Sequence, residues 1–294
     1  MTYVFNHNTL SARLLKIQAL TVLLLLAVFP LTAQELLSAG EWSQETVTDG
    51  ITLRSGAFSG LFEANQYLSV LEVTPEARFD IVSSEELTLE TTSTIANRAG
   101  AVAAINGSFF NMSAPYGSVN YFRVDGQELT PNDFETCESC PKRRSHLQTG
   151  AIATIDGHLS VLKSDSLARW ESDIEAEDMV TSGPMLIVGG ACEEVVSNDF
   201  NSDRHPRTAV GLRPDGTVLL VVADGRNEAA AGLSMNELQQ VMLALGCTEA
   251  INLDGGGSTT MVVRGQVVNH PCDNHQFDAD GERPVANAVC VSLR

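Results

Sequence analysis

The sequence predicts an α+β fold of mixed, largely antiparallel β-sheets joined by Asp-Gly hairpins and flanked by a few helices. Three observations carry this reading. Apolar, β-branched runs recur along the chain, and several end on a dipeptide that tolerates positive φ: Asp125-Gly126, Asp156-Gly157 and Asp215-Gly216. Only two segments show the apolar period of a helix. The turns share chemistry without a fixed spacing, which argues against a repeat architecture.

At the N-terminus, Arg13 and Lys16 precede an apolar run from Ala19 to Phe29, and Leu31-Thr32-Ala33 has the small-residue form of a signal-peptidase site. Residues 1–34 therefore read as a signal peptide and leader, because the run is too short to span a bilayer and no second one follows. The expected location is secreted or periplasmic, with no stable membrane anchor after leader cleavage. Residues 35–66 read as an N-terminal segment and 67–294 as the catalytic domain. The formal charge is −19; the leader holds two cations and no acid, so the remainder stands at −21. Such a surface disfavours nucleic acid and anionic membranes as partners. A phosphate-bearing ligand would need a local arginine cluster working against that field.

Tyr67 to Val73 and Arg78 to Ser83 are β-rich runs separated by Thr74-Pro75, which predicts a hairpin-like pair. Val119 to Val124, Ala151 to Ile155 and Thr208 to Arg213 each lead into one of the Asp-Gly turns and a second strand. Thr91 to Arg98 predicts a short amphipathic helix feeding the apolar strand Ala101 to Ile105. Ser234-Met235-Asn236-Glu237 is a capping box, Leu238, Val241, Met242 and Leu245 form a core stripe, and Gly246 ends the helix. Thr130 to His146, Val196 to His205 and His270 to Glu282 are polar and read as long surface loops.

Six cysteines follow the leader: Cys137, Cys140, Cys192, Cys247, Cys272 and Cys290. An even number in an oxidising compartment favours disulfides, with the pairing open. Cys137, Cys140 and His146 could instead form part of a zinc site, although no second pair completes one. His146, His158, His205, His270 and His275 lack metal-ligand spacing and read mostly as surface residues. No metal ligand set or cofactor is expected.

The chemistry gathers at strand ends. Ala250-Ile251-Asn252-Leu253 is a short strand that runs into Asp254, then Gly255-Gly256-Gly257 and Ser258-Thr259-Thr260. A carboxylate beside glycine N–H groups and hydroxyls suits a catalytic acid next to a polar cradle, and also suits a plain hairpin turn. Asn106-Gly107 ends another strand with an amide, followed by Ser108-Phe109-Phe110. Arg204 and Arg207 stand at the entrance to a strand, where a planar guanidinium could clamp phosphate or serve a surface ion pair. Val221-Val222-Ala223 ends on Asp224-Gly225-Arg226. Two carboxylates at one sheet edge are what glycoside hydrolysis requires. Ser182 and Arg283 add a hydroxyl and a cation at loop ends. A nucleophile elbow and a phosphate-loop lysine are both missing.

Taken in order, Asn106-Gly107, Arg207-Thr208-Ala209-Val210-Gly211, Asp224-Gly225-Arg226 and Asn252-Leu253-Asp254-Gly255-Gly256-Gly257-Ser258 resemble the phosphodiester glycosidase family. The resemblance runs from about Tyr67 to Val291. It implies an α+β fold and hydrolysis of a sugar-1-phosphodiester, N-acetylglucosamine-1-phosphodiester-like, to free sugar and phosphomonoester. By residue match it implies site roles for Asn106, Arg207, Asp224, Asn252, Asp254 and Ser258, with Arg283 as an addition. The leader and the lack of accessory modules suit a bacterial exported protein, so a glycosyl phosphodiester or phosphoglycan is the expected substrate.

On this reading Arg207, with Arg283, pairs with the phosphodiester, while Asp254 acts as catalytic carboxylate with Asp224 as its partner. Asn106, Gly107, Ser182, Arg226, Asn252, Gly255, Gly256 and Ser258 hold sugar hydroxyls or phosphate oxygens. Two other classes stay open: a non-catalytic carbohydrate-binding or envelope-assembly protein of the same fold, and a zinc phosphodiesterase using Cys137, Cys140 and His146.

Overall fold

The apolar runs of the sequence become, in the computed structural model, an eight-stranded sheet buried on both faces. The structure describes residues 32–85, 88–131, 145–165 and 170–293. The large sheet runs β1 (Trp42–Thr48), β2 (Ile51–Leu61), β3 (Ala64–Val73), β16 (Val218–Ala223), β15 (Arg207–Leu212), β17 (Glu249–Asn252), β13 (Met185–Val188) and β14 (Ala191–Cys192) in spatial order. All its strand pairings are antiparallel. β15 and β16 are buried almost throughout, which explains why they read as continuous apolar runs rather than alternating ones.

One face of this sheet carries Leu68, Val70, Ala209, Leu219 and Val221 against two helices, α1 (Ala33–Ala39) and α5 (Met235–Ala244). The capping box forms as expected: Ser234 Oγ accepts from Glu237 N at 3.3 Å, and Glu237 Oε2 accepts from Ser234 N at 2.9 Å. The opposite face, with Leu71, Val210, Val222 and Ile251, packs on two five-stranded sheets. The first of these is β11 (His158–Lys163), β10 (Gly150–Ile155), β12 (Asp178–Ser182), β8 (Phe122–Val124) and β9 (Gln127–Thr130). The second is β19 (Gln266–Val267), β18 (Met261–Val263), β5 (Ala103–Asn106), β20 (Asn287–Ser292) and β4 (Arg78–Ser83). The helix α2 (Thr92–Arg98), capped by Thr91, covers the outer side of the latter through Ile95 and Ala96. Trp170 of α3 (Trp170–Asp173) covers the outer side of the former with Tyr121 and Met179. A two-stranded ribbon, β6 (Phe110–Asn111) with β7 (Gly117–Ser118), follows β5.

The α+β class and the three Asp-Gly hairpins are as the sequence predicts, with β8–β9, β10–β11 and β15–β16 each closing on one. One pairing differs. β3 and β4 form no hairpin, because β3 pairs with β2 and β16 while β4 pairs with β20 in another sheet. β3 is buried on both sides and takes a neighbour along each edge. Pro75 cannot donate to a ladder, and the turn around it carries the chain from one sheet to the next. Residues 42–61, within the segment read as preceding the catalytic domain, supply β1 and β2 beside β3.

The loop from Val196 to His205 contains a short helix, α4 (Asp199–Ser202), capped by the Asn198 side chain. Cys192, Cys247, Cys272 and Cys290 are free thiols, the last three buried, so none of these four forms the expected disulfides with another. Cys137 and Cys140 lie outside the described residues.

Candidate active site

β16 and β17 flank β15 and run parallel to one another, so their C-terminal ends reach the same sheet edge. The register pairs Arg207 with Ala223 and Ala209 with Asn252. Asp224 and Asp254 therefore leave the sheet on either side of Pro206-Arg207, on strands roughly 10 Å apart at the usual spacing. Two glycines allow this. A Cβ on Gly225 would lie 2.8 Å from Pro206 N, and one on Gly255 would lie 2.6 Å from Pro206 O. Backbone meets backbone there, and any side chain would force the loops apart.

A third strand end joins them from the second five-stranded sheet. Asp254 N donates to Gly107 O at 3.1 Å, and Asn106 Nδ2 donates to Asp254 O at 2.7 Å. Asn106 is fully buried; its Oδ1 accepts from Thr208 Oγ1 at 2.8 Å and from Thr260 N at 3.1 Å. This amide is thus spent on the Thr208 hydroxyl and on the backbone of Asp254 and Thr260, and it holds the loop rather than facing a sugar. Asn252 is likewise fully buried and donates to Gly183 O at 2.8 Å and Leu253 O at 2.6 Å. Ser182 is buried at the end of β12, and its hydroxyl has no hydrogen-bond partner among the described residues. The close approach of Gly107 to Asn287 brings β20 against the same loop.

The Asp254 side chain is half-buried, and Oδ1 accepts from Gly255 N at 2.9 Å. Burial pushes its carboxyl up to about 6, against the opposing pull of the Ser258 hydroxyl, the Gly255 N–H and the Arg283 guanidinium. The other loop amides are less free than the glycines suggest. Gly256 N donates to Pro206 O at 2.9 Å and Ser258 N to Gly255 O at 3.2 Å, which leaves Gly257 N unused among the described residues.

Four arginines have different fates. Arg207 is 1 % exposed. Its Nε donates to Leu233 O at 2.8 Å, and Nη2 donates to Phe200 O at 2.6 Å and Asp203 O at 3.0 Å. Phe200 lies under the guanidinium, 4.9 Å from carbon to ring centre. Burial, with Arg226 adding repulsion, lowers its pKa to about 10. The expected phosphate clamp is instead the pin of the β15 entrance, because alternation along β15 turns this side chain to the helix-covered face. Arg204 is held by Glu237 of α5 and by Phe62 O.

Arg283 and Arg226 do stand at the loop. Arg283 forks onto Asp273, with Nε to Oδ2 at 3.1 Å, and lies against Gly257. Arg226 is exposed, and the place of a Gly256 Cβ would be 3.0 Å from its Nη2. Its φ of 61° is a left-handed conformation that a long side chain rarely adopts.

Asp224 also departs from expectation. It is 1 % exposed, and its oxygens are filled. Asn269 Nδ2 donates to Oδ1 at 2.8 Å, His270 N lies 3.1 Å from both oxygens, and His270 Nδ1 donates to Oδ2 at 2.7 Å. The group that reaches solvent is the imidazole, with 24 % of its side chain exposed. It stacks on Phe277 at 3.8 Å between ring centres and meets the Tyr67 edge at 4.8 Å. The phenol of Tyr67 is pushed up by burial and by the Asp224 charge. Sequence reading placed His270 among surface residues, and no spacing signal connects it to a carboxylate 46 positions earlier.

Asp254, Ser258, Gly255, Gly256, Arg226 and Arg283 are thus gathered around one loop, with Asp224 bound beside it. Asn106, Gly107, Asn252 and Arg207 form its support. His146, the one described member of the zinc alternative, packs against Phe200 at 5.7 Å. Among the described residues, no group of three or more His, Cys, Asp or Glu side chains could hold a metal ion.

Comparison with known proteins identifies the family and the fold. The phosphodiester glycosidase family model matches residues 99–292. The N-acetylglucosamine-1-phosphodiester alpha-N-acetylglucosaminidase of Bos taurus is 28 % identical over 234 residues, covering 76 % of this chain and 42 % of the bovine one. The Mus musculus enzyme of the same name is 40 % identical over 86 residues, 29 % of this chain and 16 % of its own. The chain thus spans less than half the length of these curated relatives. Among solved structures, the zebrafish catalytic domain of that enzyme superposes with a TM-score of 0.64 at 17 % identity, covering 86 % of this chain and 88 % of that one. A Synechocystis protein gives a TM-score of 0.59 at 18 % identity, with 87 % and 64 % covered. With two thirds of its length matched in order and the same sheet framework beneath the motifs, the chain belongs to the phosphodiester glycosidase family.

Proposed function

We propose that this protein hydrolyses a glycosyl phosphodiester, N-acetylglucosamine-1-phosphodiester-like, to free sugar and phosphomonoester. The observation that carries the reading is Asp254: a half-buried carboxyl raised to about 6 at a rigid strand end, with two guanidinium groups beside its loop. Above that pH it is ionised and suited to face the positive charge that develops at an anomeric carbon. Arg283, Arg226 and the Gly257 N–H are placed to take the phosphate, whose departure needs little protonation. Ser258, expected from the sequence to hold substrate, is fully buried in the same loop and acts on Asp254 rather than on the sugar. Arg207, with its guanidinium committed to backbone carbonyls, takes a supporting role.

Export belongs to the same proposal. Arg13 and Lys16, the apolar run behind them and Leu31-Thr32-Ala33 support a cleaved leader. N-terminal sequencing of protein recovered outside the cytoplasm would show a new terminus near residue 34.

The test of activity is incubation with a panel of sugar-1-(methyl phosphate) diesters, measuring free sugar against sugar phosphate. Free sugar with methyl phosphate is the expected outcome, abolished in Asp254→Asn. Sugar-1-phosphate as product would identify a phosphodiesterase. Glycan binding without turnover would identify a non-catalytic member of the fold.

A further inference from the structure

The pairing of Asp224 with His270 is a second chemical unit beside Asp254. A buried carboxylate can only accept, so the imidazole hydrogen sits on Nδ1 and the Nε2 lone pair is directed away from Asp224. The ring cannot swing freely. Phe277 lies flat against one face, with 10° between the planes, and Tyr67 stands edge-on at 86°. Asp224 itself is fixed by Asn269, whose Nδ2 also donates to Thr259 O at 3.1 Å. That bond ties the pair to the residue after Ser258. From the other side, Arg226 follows Asp224 by two positions and leans over Gly256. Asn269 and Arg226 thus connect the Asp224–His270 pair to the glycine loop. Among the described residues, Nε2 has no hydrogen-bond partner. The charged and titratable groups around the ring are Asp224, Tyr67 and, from the loop after Phe277, Asp278.

We propose that His270 is a catalytic base of this site, aimed by Asp224 as a positioning residue. The inference rests on the glycosyl phosphodiester reading above. In the step it assigns, a water oxygen bonds to the anomeric carbon as the bond from that carbon to the phosphate oxygen breaks. The electron pair leaves with the phosphomonoester, and the water proton passes to Nε2. The imidazolium so formed is balanced by the Asp224 carboxylate and returns its proton to solvent. Asp254 meanwhile faces the charge at the sugar. The division explains why Asp224 is closed to substrate: its oxygens hold the imidazole in one tautomer and one plane. Phosphate binding needs no imidazole here, since Arg283 and Arg226 already stand at the glycine loop.

The test uses the full chain and the methyl phosphate diesters of α-N-acetylglucosamine, α-glucose and α-mannose, with kcat and KM read from released sugar. His270→Asn is the main variant, because its amide can donate to Asp224 as Nδ1 does, and so it keeps the carboxylate paired. A fall in kcat of about 100-fold or more is expected, with KM changed by less than about threefold. His270→Gly should regain activity when free imidazole is added, as Asp224→Asn should not. Asp224→Asn should lower kcat while leaving KM near the wild-type value. A His270→Asn enzyme that keeps kcat within about threefold of wild type, or loses only KM, overturns the proposal while the site reading stands. So does a His270→Gly enzyme that imidazole fails to rescue while the fold survives by circular dichroism. A wild-type enzyme that releases no sugar from any of the diesters overturns the site reading, and this proposal with it.

Discussion

Asn106 Nδ2 donates to the backbone carbonyl of Asp254 at 2.7 Å, across 148 residues of sequence and between two different sheets. This bond sets where the carboxylate stands, since the same amide also receives Thr208 from β15 and the Thr260 N–H from beyond the glycine loop. Three segments converge on one fully buried side chain.

Asn106→Ala should therefore act on both stability and turnover. It strands the Asp254 carbonyl, the Thr208 hydroxyl and the Thr260 N–H, each buried or half-buried. The expected loss is about 2–3 kcal/mol in denaturant unfolding, within the range for buried groups left without partners. kcat should fall at least tenfold with the loop displaced, because small misplacements of a reacting group are costly. A variant as stable and as active as wild type would show that the amide does not set the loop.

The raised carboxyl of Asp254 predicts opposite effects of pH on activity and stability. Activity that needs the carboxylate should fall as pH drops through about 6. Stability should move the other way. The folded state holds this proton more tightly than the unfolded chain, so between about pH 4 and 6 the native form binds more protons and this group's contribution falls as pH rises. The shift from 3.8 to about 6 corresponds to about 2–3 kcal/mol of destabilisation, fully present above the folded value. Asp254→Asn should abolish turnover yet unfold at higher denaturant at pH 7.5, with the difference vanishing near pH 4. Equal stabilities at both pH values would mean the carboxyl titrates normally.

Gly255→Ala tests the approach of the two loops to Pro206. A Cβ there meets a carbonyl oxygen at 2.6 Å, and backbone cannot swing aside as a side chain can. The expected cost is about 1–3 kcal/mol in stability, with sugar release reduced more than tenfold. An alanine enzyme with wild-type kcat would show that the loop tolerates displacement.

Much of this arrangement was legible in the sequence, and the reason is local. Strands, Asp-Gly turns and the capped helix at Ser234 depend on neighbours a few residues away, so periodicity and turn chemistry report them. The motifs that mark strand ends also report which segments reach the site. What those side chains do there depends on partners far away in the chain. Arg207 reads as a phosphate clamp until alternation along β15 turns it towards Phe200 and Leu233. Asp224 reads as a second catalytic carboxylate until the β18–β19 hairpin delivers Asn269 and His270 onto it. The β3–β4 turn failed for a related cause: Thr74-Pro75 fixes a change of direction but not the sheet in which the next strand pairs.

The contrast between Arg207 and Arg283 gives the last prediction, because Arg207 is committed to backbone carbonyls while Arg283 is the one proposed to meet substrate. Arg207→Lys keeps the charge and loses the fork, so a buried ammonium would face carbonyls it cannot reach together. The variant should unfold about 2–4 kcal/mol more easily, in the range for a buried charge deprived of its partners, while the residual folded enzyme keeps a near-normal KM. Arg283→Gln should do the reverse. That side chain is half-buried and pairs with Asp273 at the protein surface, where an ion pair contributes at most about 1 kcal/mol. Its removal should leave the unfolding midpoint nearly unchanged and raise KM for a methyl phosphate diester about tenfold, through loss of a phosphate contact. Thermal melts and steady-state kinetics on the two variants separate the roles. A KM effect confined to Arg207→Lys would return the phosphate to that residue and place Arg283 in the support of the Asp273 loop.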